Sequence, residues 1–158
     1  MIEFHEGDIF ESGAEALVNP VNCVGVSGAG LAKEFARRWP LCDAIYRDYC
    51  ARGEMIIGDV VWIYGTDSHP SVVYFPTKRN WQNRSRTGWI GVGMAELRRR
   101  LLLPDTPHHP KCRSIAIPML GCGLGGGLSW AHVRPIIVSA MDGIDCRVMV
   151  YGPAGRLT

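Results

Sequence analysis

Residues 16–39 read ALVNPVNCVGVSGAGLAKEFARRW, and this stretch decides the fold class. It passes from an apolar run at residues 16–18, through a loop rich in glycine, into a segment with apolar residues at helical spacing at residues 29–39. Pro40 is expected to end that helix, because a proline lacks the N–H that continues the helical hydrogen bonds. A strand, a glycine loop and a helix in this order predict one unit of a layered α/β domain.

The same alternation continues along the rest of the chain. Short apolar runs predict strands at residues 2–4, 16–18, 60–64, 72–75, 115–117 and 148–151. Helical spacing predicts helices at residues 29–39, 42–52, 90–103 and 130–141, with Ser129 as the N-cap of the last one. Several strands are apolar on both faces, which is typical of a mainly parallel sheet covered by helices. Such sheets bind ligands beyond the carboxyl ends of their strands, so we expect the site in the strand-to-helix loops.

Length and composition favour one domain over residues 1–158, since the chain is 47% apolar and 20% charged. No apolar run approaches the roughly 18 residues of a membrane span, and the acidic N-terminus does not resemble a secretory signal. We therefore expect a cytoplasmic monomer without a membrane partner. The six cysteines lack metal-site spacing and are interpreted as reduced thiols, mostly in the core. No metal or cofactor is expected, because His108, His109 and Cys112 lie in a proline-rich stretch that is typical of an exposed loop.

Two glycine loops carry the strongest chemical signal. The first glycine loop (residues 24–30) opens into a helix, and the second glycine loop (residues 121–127, GCGLGGG) joins the strand at residues 115–117 to the last helix. Glycine lets the backbone approach a ligand, and free N–H groups at a helix start attract oxyanions. Together the loops predict a diphosphate site, although each alone could be a tight turn. Neither has the Gly-Lys-Ser/Thr ending of a nucleoside triphosphate loop, and the first matches a dinucleotide fingerprint only loosely.

Basic residues are concentrated in two places. Lys78, Arg79, Arg84 and Arg86 fall within nine positions that contain no acid, which favours an anionic ligand nearby. The three arginines at residues 98–100 lie at the end of a predicted helix, where a solvated face or an interaction with the helix dipole is expected.

Four segments together resemble the macrodomain pattern, in order and at the expected spacing. They are Gly7-Asp8-Ile9, residues 16–22, the first glycine loop, and Ile117-Pro118 followed by the second glycine loop. The resemblance covers nearly the whole chain. It implies a three-layer α/β/α fold around a mixed, mainly parallel central sheet, with ADP-ribose bound in a cleft between the two glycine loops.

The same resemblance implies roles for individual residues. Asp8 accepts a hydrogen bond from the adenine amino group, and Asn22 positions the distal ribose. Asn19 either does the same or only braces its loop, and Tyr151 is the candidate for stacking on adenine. The implied ADP-ribose-binding residues are Asp8, Ile9, Asn19, Gly28, Ala29, Gly30, Leu31, Thr77, Gly121, Cys122, Gly123, Leu124, Gly125 and Tyr151.

Residues 75–81, FPTKRNW, resemble a more restricted signature, that of the DNA ADP-ribosylglycohydrolases that act as antitoxins to thymidine-modifying DarT toxins. A lysine works at the distal ribose in these enzymes, which implies Lys78 as the catalytic residue, with Asn22 beside it. An uncharged amine can attack the aldehyde of an opened ribose, whereas a charged one stabilises the departing base or the phosphate. Both roles stay open, and base rates alone would make Lys78 an exposed surface lysine.

The substrate is predicted from one difference from a related enzyme and from one cluster of basic and aromatic side chains. The related terminal ADP-ribose protein glycohydrolase, which acts on proteins, carries an aspartate where this chain has Gly125, so a general acid or base for an ester-linked ribose is missing. Arg79, Trp81, Arg84 and Arg86 are the candidate DNA-binding residues, because they suit phosphates and a stacked base; Trp81 alone is more often a core residue.

The hypothesis is therefore a metal-independent glycohydrolase that removes ADP-ribose from thymidine bases of single-stranded DNA, with a DarT-type toxin as a further partner. The alternatives are a hydrolase of ADP-ribosylated protein carboxylates or of small ADP-ribose derivatives, and a reader that binds ADP-ribose without chemistry.

Overall fold

The computed structural model describes residues 1–123 and 125–158. Within these residues one sheet contains the strands β1 (Ile2–Glu6), β2 (Ala16–Asn22), β3 (Val61–Ile63), β4 (Ser71–Lys78), β5 (Ser114–Pro118) and β6 (Arg147–Gly152). The order across the sheet is β1-β6-β5-β2-β4-β3. Neighbouring strands are parallel except for β3 and β4, which are antiparallel. The sheet is mixed and mainly parallel, which confirms the prediction.

Helices cover both faces of this sheet. They are α1 (Gly30–Arg38), α2 (Pro40–Ala51), α3 (Thr87–Leu101) and α4 (Trp130–Met141), with a short 3-10 helix at Ile9–Glu11. Tyr74 of β4 packs with Phe35 and Tyr46 from α1 and α2. The next residue, Phe75, points to the opposite face and packs with Met94 of α3. Because successive strand residues alternate between two buried clusters, the three-layer α/β/α arrangement is confirmed.

Several element boundaries differ from those predicted. Strand β4 extends three residues beyond residue 75 to Lys78, because its pairing with β2 continues through Pro76. Helix α2 begins at Pro40, immediately after α1 ends, since a proline fits the first turn of a helix, where its missing N–H is not needed. Ser129 is the N-cap residue of α4, as predicted, but its side chain makes no capping hydrogen bond.

The cysteines are free thiols, as predicted, and Cys42, Cys122 and Cys146 are buried. Cys50 and Cys112 are partly buried and pack against the two core clusters. In the described part of the chain, no helix combines the length and the apolar character needed to cross a membrane.

Candidate functional site

A cavity of about 900 Å³ lies at the carboxyl ends of the five parallel strands. Its wall runs from Asp8, after β1, past Tyr151 near the end of β6, to Asn22 and Lys78 at the ends of β2 and β4. The volume is within the range of about 300–1,000 Å³ that is typical of sites for small organic ligands. The cavity therefore lies at the sheet edge where the strand pattern predicted a site.

Most of the predicted site residues are brought together in this cavity. Those that line it are Asp8, Ile9, Asn22, Gly28, Ala29, Gly30, Leu31, Thr77, Lys78, Trp81, Gly121, Cys122, Gly123, Gly125 and Tyr151. Asn19 does not line it, because its side chain is 1% exposed and is enclosed in the sheet. Leu124 lies outside the described residues. Arg79, Arg84 and Arg86 lie outside the cavity, and Arg156, which the sequence analysis missed, lines it.

Asn22 holds the first glycine loop in shape. Its Oδ1 accepts hydrogen bonds from the N–H groups of Val24, Gly25 and Val26 at 3.1–3.2 Å, and from the Tyr46 hydroxyl at 3.0 Å. Its Nδ2 donates to the Val26 carbonyl at 2.8 Å, which leaves one amide hydrogen for a ligand. Bracing, which we expected of Asn19 as one alternative, is thus performed by Asn22. Contact between Asn22 and a ribose stays a prediction.

A buried carboxylate ties the other half of this loop to α2. The Ser27 hydroxyl donates to Asp43 at 3.0 Å, and Asp43 is in turn paired with Arg47 at 3.0 Å. The loop then enters α1 at Ala29, whose side chain provides no cap. Because the first N–H groups of a helix have no partner within it, this uncapped end presents donors and a partial positive charge to the cavity.

Backbone conformation and steric limits require glycine at several positions of the second glycine loop. Gly121 and Gly125 have φ angles of +72° and +74°, in the left-handed region that favours glycine. A Cβ on Gly126 would overlap the Gly121 carbonyl oxygen, so that position also requires a glycine. Gly123 differs, because a Cβ there would meet nothing within 4 Å. Its backbone therefore faces open space in the cavity.

Lys78 is half-buried at the end of β4, directly opposite Asn22 in the register of the two strands. Its amine donates to the Trp81 carbonyl at 3.3 Å. A Cβ on Gly125 would lie 3.0 Å from this amine. Because Gly125 has no side chain, the amine can occupy this space. Lys78 thus lies between the Trp81 carbonyl and Gly125 and is half-buried, unlike an exposed surface lysine.

The three arginines of the basic cluster lie outside the cavity lining, and among the described residues they have no acidic partner. Arg79 and Arg86 both approach the ring of Trp89, with their guanidinium carbons 5.4 and 5.0 Å from its centroid. Arg84 lies beside Gly127 of the second glycine loop. Within the described residues none of these arginines pairs with a carboxylate. Their charge is therefore available to an external anion.

The arginines at residues 98–100 behave differently. Arg99 and Arg100 pair with Glu96 of the same helix. Arg98 donates to the carbonyl oxygens of Ala140 and Asp142 at the carboxyl end of α4. The charges of these three arginines thus interact with a carboxylate of the same helix and with the carboxyl end of another helix, as expected.

Aromatic and acidic groups line the two ends of the cavity. Trp81 is 54% exposed, so the expectation that a lone tryptophan is a core residue does not apply. Tyr151 stacks on His5 with ring centroids 5.2 Å apart. Asp8 caps the 3-10 helix, since its Oδ1 accepts from the Phe10 N–H at 2.9 Å. The second carboxylate oxygen of Asp8 takes no part in that bond.

The cavity thiol is not a nucleophile. Cys122 is 8% exposed, and burial raises the pKa of its thiol, an effect that the nearby Arg156 charge partly opposes. A thiol in this environment stays protonated at neutral pH. Among the described residues, no three His, Cys, Asp or Glu side chains are grouped as metal ligands.

Comparison with known proteins agrees with this geometry. The Macro domain family matches residues 18–137. A DNA ADP-ribosyl glycohydrolase of Mycobacterium tuberculosis is 38% identical over 158 residues, covering 98% of this chain and 43% of the relative. The solved macrodomain of Mycobacterium tuberculosis DarG has a TM-score of 0.88 at 37% identity and covers 98% of this chain and 99% of that one.

A second solved structure is Thermosipho africanus DarTG in complex with ADP-ribose. It has a TM-score of 0.82 at 28% identity, with 96% of this chain and 42% of that chain covered. The chain thus spans less than half the length of the curated glycohydrolase that it matches, at 43%.

Proposed function

Because this chain belongs to the macrodomain family, we propose that it binds ADP-ribose in the cavity and removes it from thymidine bases of single-stranded DNA. Residues 1–158 act as a single macrodomain in this proposal. The observation that carries it is the position of the Lys78 amine, at the end of a strand, inside the cavity and against Gly125. An amine at that point lies where a hydrolase needs a reactive group, which favours a hydrolase over a reader.

The order of the strands supports one direction for the bound ligand. Adenine binds at the β1 and β6 end, with its amino group at the free Asp8 oxygen and its ring near Tyr151. The diphosphate lies over β5 and β2, between Gly123 and the uncapped start of α1, because helix N-termini and glycine loops bind phosphates. The distal ribose then reaches β2 and β4, where Asn22 and Lys78 are paired in register.

The reaction breaks the bond between C1″ of the distal ribose and the thymine base. Water supplies a hydroxyl to C1″ and a proton to the base, which leaves with the bonding electron pair. Lys78 acts in one of two ways. As a neutral amine it adds to C1″ as the ring bond from C1″ to O4″ opens, the base then leaves with the bonding electron pair and a proton, and water hydrolyses the resulting Schiff base to release ADP-ribose and the free amine; as an ammonium it stabilises the departing base. Trapping with borohydride distinguishes the two, because only the Schiff base is reduced to a stable adduct.

The surface beside Lys78 supports DNA as the substrate. Trp81 is exposed and lines the same cavity as the amine, and the departing base would stack on its ring. Arg79, Arg84 and Arg86 carry charges without acidic partners and would contact the phosphates that flank this base. A DarT-type toxin as the source of the modification, a monomeric state and a cytoplasmic location complete the proposal.

One experiment tests both the chemistry and the substrate. The release of free ADP-ribose is measured from an oligonucleotide with ADP-ribosylated thymidine, from the ADP-ribosylated nucleoside, and from ADP-ribosylated glutamate. We expect the oligonucleotide to be the best substrate for the natural protein. Lys78→Ala should greatly reduce release and keep ADP-ribose affinity within about tenfold, or about 1.4 kcal/mol. Arg84→Glu combined with Arg86→Glu should remove only the preference for the oligonucleotide over the nucleoside.

Other results would contradict the proposal. Release from glutamate with none from thymidine would favour the protein-directed alternative. Tight binding of ADP-ribose without release from any of the three substrates would favour a reader. Equal turnover by Lys78→Ala and the natural protein would return Lys78 to the role of a surface lysine.

A further inference from the structure

The segment after β6 (residues 153–157) forms part of the cavity wall and is held at two points. The Gly155 N–H donates to the Glu6 carboxylate at 2.8 Å. The Trp130 indole N–H donates to the Leu157 carbonyl at 3.1 Å, and the Leu157 side chain is buried in the core at 7% exposure. Fixing the residues on both sides of Arg156 restricts where its side chain can reach.

Arg156 lines the cavity and is the one charged residue of this segment. In the described lining, it and Lys78 are the two cations, and Asp8 is the one carboxylate. Arg156 forms no salt bridge within residues 1–123 and 125–158. Arg156 and Cys122 of the second glycine loop line the same cavity, and the charge of Arg156 lowers the pKa of the Cys122 thiol against the larger effect of burial.

The sheet order separates the two cations. Lys78 lies at the end of β4, on one side of the second glycine loop, whereas Arg156 follows β6, on the other side. In the proposed binding mode the adenine lies at the β1 and β6 end. The position between this end and the loop after β5 is then occupied by the phosphate that is attached to adenosine.

We propose that Arg156 binds the adenosine-side phosphate of the ligand. This inference rests on the proposed ADP-ribose binding. A guanidinium presents paired N–H donors in a plane that matches two phosphate oxygens, and charge-assisted hydrogen bonds of this kind are about twice as strong as neutral ones. The backbone amides of the glycine loops bind the diphosphate without side chains. Arg156 therefore adds the positive charge that these loops lack at the adenosine end.

The test compares three ligands that differ in phosphate. Calorimetry measures the affinity of the natural protein and of Arg156→Gln for ADP-ribose, ADP and adenosine. We expect Arg156→Gln to lower the affinity for ADP-ribose and for ADP by about tenfold at low salt. The affinity for adenosine and the melting temperature should not change. The loss should shrink as salt is added, and Arg156→Lys should recover part of it. Arg113→Gln removes an exposed arginine at the opposite end of β5 and is the matched control, with no expected loss.

The outcomes separate this inference from the proposal that it rests on. A natural protein that fails to bind ADP-ribose overturns the proposed function itself. Full ADP-ribose affinity in Arg156→Gln overturns only the role of Arg156. A loss of adenosine affinity equal to that of ADP shows a contact with the base or its ribose, and this result also overturns the phosphate assignment.

Discussion

Replacing Gly125 by alanine should impair the chemistry more than the binding of ADP-ribose. The new Cβ would lie 3.0 Å from the Lys78 amine, whereas ordinary contacts are 3.4–4 Å long. The amine must therefore move by at least 0.4 Å, the difference between 3.4 and 3.0 Å, and it can do so because it is the far end of a flexible side chain. This shift also changes the geometry of the hydrogen bond from Lys78 to the Trp81 carbonyl.

The expected magnitude follows from that displacement. A misplacement of about 1 Å at a reacting centre costs on the order of 100-fold in rate. About half of that displacement should lower turnover on the order of tenfold, which is about 1.4 kcal/mol of activation free energy. Alanine must also adopt a φ near +74°, and this backbone strain should lower the free energy of unfolding by about 1–2 kcal/mol.

Gly127→Ala provides the matched control. Gly127 lies in the same loop with a φ of +75°, so its replacement carries the same backbone strain, but its Cβ would contact Arg84 at 3.4 Å instead of Lys78. Single-turnover release of ADP-ribose is measured for both variants at saturating protein, together with ADP-ribose affinity and melting temperature. The melting temperature of both variants should fall by a similar amount. Only Gly125→Ala should release ADP-ribose about tenfold more slowly.

Two results would refute this reasoning. If Gly127→Ala slowed release as much as Gly125→Ala, the cause would be strain in the loop and not displacement of the amine. If Gly125→Ala further reduced the residual activity of a Lys78→Ala protein, its effect could not pass through Lys78, because coupled residues lose their separate effects when one of them is removed.

Three other glycines allow further predictions. Gly123→Glu should fold with an unchanged melting temperature, since a Cβ there meets nothing within 4 Å, but its side chain should fill the diphosphate position and abolish ADP-ribose binding in calorimetry. Unchanged affinity would contradict binding between the two glycine loops. Gly93→Ala should destabilise the fold by about 2 kcal/mol in thermal melts, because its Cβ would overlap the buried ring of Phe75. Gly91→Ala, on the same helix with no neighbour within 4 Å, should instead stabilise it by about 0.5–1 kcal/mol, and destabilisation by both would contradict the steric explanation.

Local sequence patterns predicted well those elements whose bounds depend on their own residues alone. Residues 130–141 are helical in the structure with the predicted bounds, since their apolar spacing continues to the last turn. Strand β4 was predicted to end at Phe75, because a proline usually interrupts a strand and the residues after it are polar. It continues to Lys78 because β2 pairs with it that far, and such pairing cannot be read from one segment alone.

The site shows the same division between local and distant causes. The two glycine loops were recognised because each is contained in a few consecutive residues. The bracing role of Asn22 was missed, because its bonds to Val24, Gly25 and Val26 depend on the conformation of the loop, and because its side chain is also held by Tyr46, which lies 24 positions later. Arg156 was missed altogether, because its position depends on a contact from the adjacent Gly155 to Glu6, across a separation of 149 positions. Nothing in the residues around Arg156 indicates a ligand.

The register between Asn22 and Lys78 has a consequence for how such a protein could change its substrate. Lys78 is the last residue of β4 and is paired with Asn22 of β2, so its backbone is fixed by the sheet and not by the loop that follows. The residues that would meet the departing group, Trp81, Arg84 and Arg86, all belong to that loop. If Lys78 acts as proposed, insertions and replacements in the loop can therefore alter what is released while the amine keeps its place. In that mechanism reactivity and selectivity are separable along the chain, divided between the last residue of β4 and the residues that follow it.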